Sequence, residues 1–204
     1  ATGATGQELV KLLLKDSYYN KVSIFVRRKV DLQHKKLNIH IIDFSKLNDY
    51  ENLIRGDILF SALGTTLKDA GSKNKQYLID YSYQYEFAKI SAKNGTNTYS
   101  VVSSLGANKN SFFFYPKIKG CLEESVKSLQ FKKIQIFQPP SLIRPPHLIR
   151  NLEKLSLFIL KIFNYFGFLK LFKPISVFDL AVKMIREIKA SKTKKISTYT
   201  ADKI

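Results

Sequence analysis

Cysteine, tryptophan and histidine are scarce in this sequence. The chain of 204 residues has one cysteine, no tryptophan and three histidines. The single Cys121 excludes an internal disulfide framework and any cysteine-based zinc site, and it fits a reducing compartment. The histidines His34, His40 and His147 show no spacing typical of metal ligands, so we expect no metal site.

Long apolar runs are also absent. No segment reaches the ~18 consecutive apolar residues that a membrane-spanning helix needs. The sequence does not open on the basic and then apolar pattern of a signal peptide either. From these two absences we expect a cytoplasmic protein.

Acidic residues are few: 16 Asp and Glu stand against 34 Lys and Arg, which gives a formal charge of +18. Such a charge admits nucleic acid, anionic lipid or a phosphorylated ligand as a partner. The basic residues are spread through the whole sequence and no base-reading motif accompanies them, so we expect no specific nucleic-acid partner. Apolar residues make up 45% of the chain, which excludes a disordered protein.

Short β-branched and apolar runs alternate with helical patterns along most of the chain. This alternation predicts an α/β protein in which a doubly wound parallel sheet is covered by helices on both faces. The length indicates one domain, 1–204. A helix is predicted directly after Gly6, and others over 47–53, 75–93, 116–129 and 177–190. The strands are predicted at 21–27, 37–42, 57–62, 98–102, 133–137 and 196–200.

The sequence begins with a glycine-rich turn that runs directly into a helical pattern. Gly3 and Gly6 stand three residues apart, as two of the glycines in a dinucleotide-binding turn do. Such glycines let the backbone approach a pyrophosphate, and the helix N-terminus offers free N–H groups to it. Because a strand normally feeds this turn, we expect that the first strand is missing from the sequence. An ordinary glycine turn is the alternative.

Two arginines favour the dinucleotide interpretation. Arg27 ends the first predicted strand, 21 residues after Gly6, and Arg28 follows it. A dinucleotide fold places its ribose-reading residue at about this distance. An acidic residue there would hold the 2′-hydroxyl of NAD, whereas two guanidinium groups fit the 2′-phosphate of NADP. A basic strand end exposed to water is the alternative.

Further candidate ligand-binding residues follow the next two predicted strands, at the same carboxyl edge of the sheet. Asp43 and Phe44 follow one strand, where a carboxylate and an aromatic ring can flank adenine. Gly64 and Thr65 follow the next strand. Ligands of open α/β sheets bind at this edge.

A serine pair, a tyrosine and a lysine suggest proton chemistry. Ser103 and Ser104 end the fourth predicted strand, and Tyr115 and Lys119 are spaced i, i+4, so they share one face of a helix. A nearby ammonium stabilises tyrosinate, and a serine hydroxyl could hold a substrate carbonyl beside the phenol, which complements hydride transfer. Pro116 suits a first helical turn, yet it should push Tyr115 away from helical dihedral angles.

Together these residues resemble the atypical short-chain dehydrogenase/reductase superfamily, and within it the HIV Tat-interacting-protein-like NAD(P)-binding oxidoreductases. The resemblance covers nearly the whole chain. At one turn the chain departs from the family, because the usual Arg-Pro-Gly is replaced by Gln-Pro-Pro at 138–140. The matching stretches are 1–6, 26–28, 43–44, 63–66, 103–108, 115–120 with Glu123, and the turn at 138–139.

The resemblance implies a Rossmann domain that binds NADP(H), with NAD(H) less favoured. Residues 1–140 would form the cofactor-binding core, and 141–204 a small C-terminal helical region on the substrate side. Tyr115 would be the proton donor, Lys119 the partner of the tyrosine and the ribose, and Ser103 or Ser104 the residue that holds the substrate. The implied cofactor contacts are Thr2, Gly3, Ala4, Thr5, Gly6, Arg27, Arg28, Asp43, Phe44, Leu63, Gly64, Thr65, Tyr115, Lys119 and Pro139.

The segment 149–172 is dense in Leu, Ile and Phe and also contains lysines. Three interpretations stay open for it: a cap or core element over the substrate cleft, a peripheral membrane contact, or a dimer interface. A cap would imply an apolar or aromatic substrate. The chain is accordingly expected to be a monomer or a homodimer.

Three functions follow from the sequence. The first is an NADP-dependent oxidoreductase that acts on a carbonyl or hydroxyl group of a small-molecule substrate. The second is a non-catalytic NADPH-binding regulator or scaffold, which the prolines at 116 and 140 favour. The third is a basic protein that binds a membrane surface or nucleic acid.

Overall fold

A computed structural model describes residues 1–144, 173–190 and 194–204. The helices in these ranges are α1 (Ala4–Lys15), α2 (Leu67–Ala70), α3 (Lys73–Tyr77), α4 (Tyr83–Lys93), α5 (Phe114–Lys127) and α6 (Val177–Lys189). A 3₁₀ helix spans Phe44–Leu53, and a π-helical turn at Leu78–Ser82 joins α3 to α4. The strands are β1 (Val22–Val26), β2 (Leu37–Ile41), β3 (Ile58–Ser61), β4 (Thr98–Val102), β5 (Lys133–Phe137), β6 (Leu142–Ile143), β7 (Ile175–Ser176) and β8 (Ile196–Tyr199).

All strand pairs in the described ranges are parallel. Strands β3, β4, β5 and β8 form one sheet in that order, and β1 pairs with β2. Helices connect the neighbouring strands of the larger sheet: α3 and α4 lie between β3 and β4, α5 between β4 and β5, and α6 before β8. The expected Rossmann-type α/β fold is confirmed.

The central strands are buried on both faces, as strands of a parallel sheet covered by helices must be. Alternate side chains of β5 show this directly. Ile134 and Ile136 pack with Tyr99 of β4 and with Leu122 and Val126 of α5. The next residue of β5, Phe137, lies in the opposite layer, which the apolar faces of α1 and α6 form. The period of two along the strand therefore divides its residues between two apolar layers.

Most of the predicted elements match the observed ones. All six predicted strands are present, whereas the two-residue strands β6 and β7 carry too little pattern to be predicted. The helix predicted over 75–93 begins two residues earlier and contains the π-helical turn. The segment 149–172 lies outside the described residues. None of the described helices is long and apolar enough to cross a membrane.

Candidate functional site

The residues that the sequence singles out follow the carboxyl ends of parallel strands. Each group directly follows the carboxyl end of a parallel strand: the arginines follow β1, Asp43 follows β2, Gly64 follows β3, the serines follow β4 and Pro139 follows β5. In open α/β sheets, ligands bind at this edge. The structure thus places the predicted residues after five parallel strands, of which β1 and β2 form one pair and β3, β4 and β5 belong to the larger sheet.

The glycine turn leads into α1 with its N-terminus uncapped. Gly3 is the N-cap residue, and no side chain accepts a hydrogen bond from the first turn. The first N–H groups of a helix have no partner within the helix, and the helix dipole makes this end positive. A Cβ atom at Gly3 would meet nothing within 4 Å, whereas one at Gly6 would lie 3.1 Å from the backbone of Ala1. Gly3 therefore borders open space, and Gly6 permits a close backbone approach.

This turn fits the pyrophosphate of a dinucleotide. Open space at Gly3 lies beside uncapped N–H groups, which is the arrangement that anions favour. Ala4 and Thr5 are buried, while Thr2 is exposed. Contact of these three residues with a cofactor stays a prediction.

Arg27 and Arg28 are both exposed. Within the part of the chain that the structure describes, neither guanidinium forms an ion pair with a carboxylate. A guanidinium without a carboxylate partner can offer its paired N–H donors to a phosphate. The pair is therefore free to bind an anion at the end of β1.

Asp43 and Phe44 have structural partners of their own. The Asp43 carboxylate accepts hydrogen bonds from the backbone N and the hydroxyl of Ser45, at 2.9 and 2.7 Å, and so caps the 3₁₀ helix. These hydrogen bonds hold the pKa of Asp43 below its ordinary value. Phe44 is half-buried and packs near the rings of Tyr83 and Phe87. Contact of either residue with adenine stays a prediction.

The two serines after β4 have different surroundings. Ser103 is buried, and its hydroxyl donates to the carboxylate of Glu123 on α5, which also accepts from Gln138 Nε2 at 2.9 Å. Ser104 is half-buried, and its hydroxyl lies 3.2 Å from the carbonyl oxygen of Leu105. Glu123 therefore joins α5 to the segments that follow β4 and β5. Of the two serines, Ser104 has the hydroxyl without a carboxylate partner.

Tyr115 and Lys119 share one face of α5, as their spacing predicts. The Lys119 ammonium lies 6.0 Å from the centre of the Tyr115 ring. Tyr115 is 37% exposed and Lys119 is 2% exposed, so the phenol borders solvent while the ammonium is enclosed. The expectation that Pro116 moves Tyr115 out of the helix is wrong, because α5 begins at Phe114. Proline is tolerated there because first-turn N–H groups have no helical partner to lose.

Sequence reasoning missed Asp80, which the structure places against this pair. Its carboxylate Oδ1 lies 3.3 Å from Lys119 Nζ, and its Oδ2 accepts a hydrogen bond from the Thr65 backbone N at 3.2 Å. Burial raises the pKa of Asp80, and the charge of Lys119 opposes this rise. A Cβ atom at Gly64 would lie only 3.1 Å from Asp80 Oδ1, so this glycine leaves room for the carboxylate. Half-buried Leu63 precedes it.

Gly120 has a steric role that the sequence did not reveal. The loop after β4 passes over α5 here, and the Asn108 backbone N donates to the carbonyl of Pro116 at 3.1 Å. A Cβ atom at Gly120 would overlap the backbone of Asn108 and Lys109. Lys119 directly precedes Gly120, and Glu123, the partner of Ser103, lies about one helical turn after it. The close approach at Gly120 therefore fixes this part of α5 relative to the loop after β4.

Comparisons with known proteins agree with this fold. The sequence model of a family described as NAD(P)H-binding matches residues 1–131. The rat protein HTATIP2 is 33% identical over 147 residues, which are 70% of this chain and 60% of that protein. Protein FMP52, mitochondrial, from Debaryomyces hansenii is 37% identical over 145 residues, 70% of this chain and 64% of that protein. The chain thus spans under two thirds of the length of these two relatives.

Solved structures with the same fold are more distant in sequence. MoeE5 in complex with UDP-glucuronic acid and NAD superposes with a TM-score of 0.74 and 13% identity, covering 97% of this chain and 72% of that one. UDP-glucuronic acid 4-epimerase from Bacillus cereus, in complex with NAD, gives a TM-score of 0.67 and 12% identity, covering 97% and 74%. At this identity the likeness concerns the fold alone. Because relatives are named as mitochondrial proteins, the cytoplasmic location stays a prediction.

The close approach at Gly120 predicts the effect of one added methyl group. Gly120→Ala should lower the free energy of unfolding by about 2 kcal/mol, because the loop backbone must move. Helix propensity alone would instead make this variant about 1 kcal/mol more stable. Denaturant unfolding decides between the two, with Cys121→Ala at the next, half-buried position as the control. A Gly120→Ala protein as stable as the parent, or more stable, would contradict the packing described.

Proposed function

The chain belongs to the NAD(P)H-binding family, and from that premise we propose that it is an NADP(H)-dependent oxidoreductase of the atypical short-chain dehydrogenase/reductase type. The substrate is a small molecule with a carbonyl or hydroxyl group. The observation that carries the proposal is the carboxyl edge of the sheet. An uncapped N-terminus of α1, two exposed arginines directly after β1 and the Tyr115–Lys119 pair on α5, the helix after β4, are the groups that support it.

The arginine pair supports NADP(H) rather than NAD(H). Both guanidinium groups follow β1, where a dinucleotide fold reads the adenosine ribose. A carboxylate at this place would repel a 2′-phosphate, whereas planar guanidinium groups bind it through paired N–H donors. The backbone of Gly3, Ala4 and Thr5 would hold the pyrophosphate at the N-terminus of α1.

When bound, NADPH supplies a hydride to a carbonyl carbon. Residues of the chain donate and accept the proton that accompanies this transfer. The Tyr115 hydroxyl donates its proton to the carbonyl oxygen as the alcohol forms, and it takes the proton back in the reverse direction. The Lys119 ammonium favours the tyrosinate that results, since an opposite charge stabilises an anion nearby. The Ser103 hydroxyl already donates a hydrogen bond to the Glu123 carboxylate. We therefore assign to Ser104 the role of holding the substrate oxygen beside the phenol.

The surroundings of Tyr115 support an apolar substrate. Phe112 and Phe113 come directly before α5, and both rings are exposed. Exposed aromatic rings next to a reactive hydroxyl offer contact area to an apolar or aromatic group. We therefore place the non-reacting part of the substrate against these two rings.

The cofactor preference has a direct test in the double variant Arg27→Ala/Arg28→Ala. Removing both guanidinium groups should weaken NADPH binding by about 100-fold or more, because each charge-assisted contact contributes about 1.5 kcal/mol or more. NADH binding should change little. Calorimetric titration with the two cofactors measures this difference.

Lys194→Ala/Lys195→Ala is the matched control. It removes the same charge from an adjacent, exposed pair at the start of β8, on the opposite edge of the sheet. This control should bind NADPH as the parent does. An arginine variant that keeps the parent's preference for NADPH would refute the assignment of the pair.

Tyr115→Phe tests the proton chemistry separately from cofactor binding. Loss of the hydroxyl should lower the rate of NADPH oxidation by about 100-fold or more, while the NADPH dissociation constant stays unchanged. The rate is measured by absorbance with a panel of aromatic and aliphatic aldehydes and ketones. Tyr18→Phe, another exposed tyrosine, is the control and should retain the parent's rate.

The outcomes of this experiment separate the candidate functions. Equal rates for Tyr115→Phe and the parent would exclude Tyr115 as the proton donor. NADPH binding without oxidation by any carbonyl of the panel would contradict the enzymatic proposal and favour a regulatory NADPH-binding protein.

A further inference from the structure

Two adjacent phenylalanine rings project from the surface at the start of α5. Phe112 is fully exposed and Phe113 is 76% exposed, and no other large apolar side chain among the described residues is as exposed as these two. Apolar side chains that stand singly on a surface need no explanation, whereas adjacent ones form a patch that marks an interaction surface. The two rings therefore indicate contact with an apolar partner.

Positive charge surrounds the two rings. The segment 105–119 contains no Asp or Glu, and its residues Lys109 and Lys117 are exposed. Lys73, at the start of α3, reaches the same place, because its Nζ lies 5.6 Å from the centre of the Phe114 ring. The surface is thus apolar at its tip and basic around it.

The charge of this surface is available to a partner. The neighbouring segment 66–79 contains Lys73 and two further exposed lysines, Lys68 and Lys75, against one aspartate, Asp69. In the ranges that the structure describes, no ion pair joins a lysine of this surface to a carboxylate. An anionic partner would therefore not have to displace an existing counter-charge. We call the two exposed rings, with Lys73, Lys109 and Lys117, the aromatic-basic surface.

An anionic lipid bilayer complements the aromatic-basic surface in both respects. Apolar rings enter the boundary between headgroups and acyl chains, while lysines stay at the charged headgroups. Nucleic acid could use the same lysines, but proteins that stack bases on aromatic rings do so along a groove that follows the nucleic-acid backbone. Two rings that protrude at the tip of a loop suit insertion into a bilayer better.

We propose that the aromatic-basic surface binds an anionic lipid bilayer, with Phe112 and Phe113 inserted among the headgroups and the lysines against the headgroup charges. Tyr115 lies two residues after Phe113, so the bound protein presents this end of α5 to the membrane. An apolar substrate would then reach Tyr115 from the bilayer. This last consequence rests on the proposed function, whereas the surface itself does not.

The absence of tryptophan from the sequence permits a direct test of insertion. Phe113→Trp supplies a single indole, whose emission reports the polarity around it. With vesicles of phosphatidylcholine and phosphatidylserine, this emission should move to shorter wavelength and should be quenched by brominated acyl chains. Tyr18→Trp is the matched control, since Tyr18 is exposed in the loop between α1 and β1, and its emission should not change. Unchanged emission of Phe113→Trp would overturn the proposal.

Vesicle co-sedimentation measures what the rings contribute to affinity. Phe112→Ser/Phe113→Ser should bind the same vesicles about tenfold more weakly or less, because two apolar side chains are no longer removed from water. The variant should fold, because both positions are exposed and Phe113 is the N-cap residue of α5, where serine is preferred. Denaturant unfolding checks this. Vesicle binding that equals the parent's would place the contact elsewhere and overturn the proposal.

The lysines are tested by charge and by salt. Lys109→Gln/Lys117→Gln should bind the vesicles about tenfold more weakly at low salt, since each lysine near an anionic surface contributes to binding. Lys194→Gln/Lys195→Gln removes the same charge from another exposed pair and should bind as the parent does. The parent's own binding should weaken as salt is added. Equal losses in the two lysine variants would show a general charge effect and contradict the assigned surface.

Two further partners complete the experiment. Pure phosphatidylcholine vesicles should bind the parent much more weakly, and equal binding would contradict the role of charge. A DNA duplex that displaces the protein from the anionic vesicles, and that Phe112→Ser/Phe113→Ser binds more weakly than the parent, would assign the surface to nucleic acid instead. None of these measurements uses NADPH. A parent that binds vesicles but no NADPH would contradict the proposed function alone, and one that binds NADPH but no vesicles would overturn the present proposal alone.

Discussion

Parallel pairing of the strands is the constraint on which the site depends. Each strand of β3, β4, β5 and β8 runs in the same direction, so every connection must return across a face of the sheet before the next strand begins. Helices make these returns, and they bury both faces. As a consequence, the segments that leave the strands at their carboxyl ends gather at one edge. Residues that are far apart in sequence, such as Gly64 and Ser103, follow neighbouring strands of this sheet for this reason.

The polar groups of this region are stabilised by partners rather than by solvent. Ser103, Glu123 and Gln138 form one hydrogen-bonded cluster, and Asp80, Lys119 and the Thr65 backbone form another. Both clusters contain a residue of α5 and a residue that follows a strand. A buried polar group with a full set of partners fixes the orientation of its neighbours, whereas one without partners is costly. The orientation of α5, and with it that of Tyr115, thus rests on two polar contacts and on the close approach at Gly120.

The sequence allowed the fold to be predicted, and it placed the candidate site residues at the ends of strands, because both inferences follow from local patterns. Alternating strands and helices predict the parallel sheet, and the ends of those strands predict where Gly64 and Ser103 lie. The position of Asp80 could not be predicted in this way. It depends on a π turn, whose extra residue departs from the ordinary helical period, and on Lys119, a partner that lies on another helix. The different roles of Ser103 and Ser104 depend on Glu123 in the same way, since only the tertiary contact distinguishes two adjacent hydroxyl groups.

The most direct test of the central claim is a titration of the ¹⁵N-labelled protein with NADPH, followed by amide NMR spectra. The account predicts that the largest shifts occur at the amides of the α1 N-terminus, of Arg27 and Arg28, and of the turns after β3 and β4. Amides at the opposite edge of the sheet, such as those of Val22 and Thr98, should be unaffected. Binding that shifts the opposite edge, or no binding at millimolar NADPH, would contradict the claim that the carboxyl edge is a dinucleotide site.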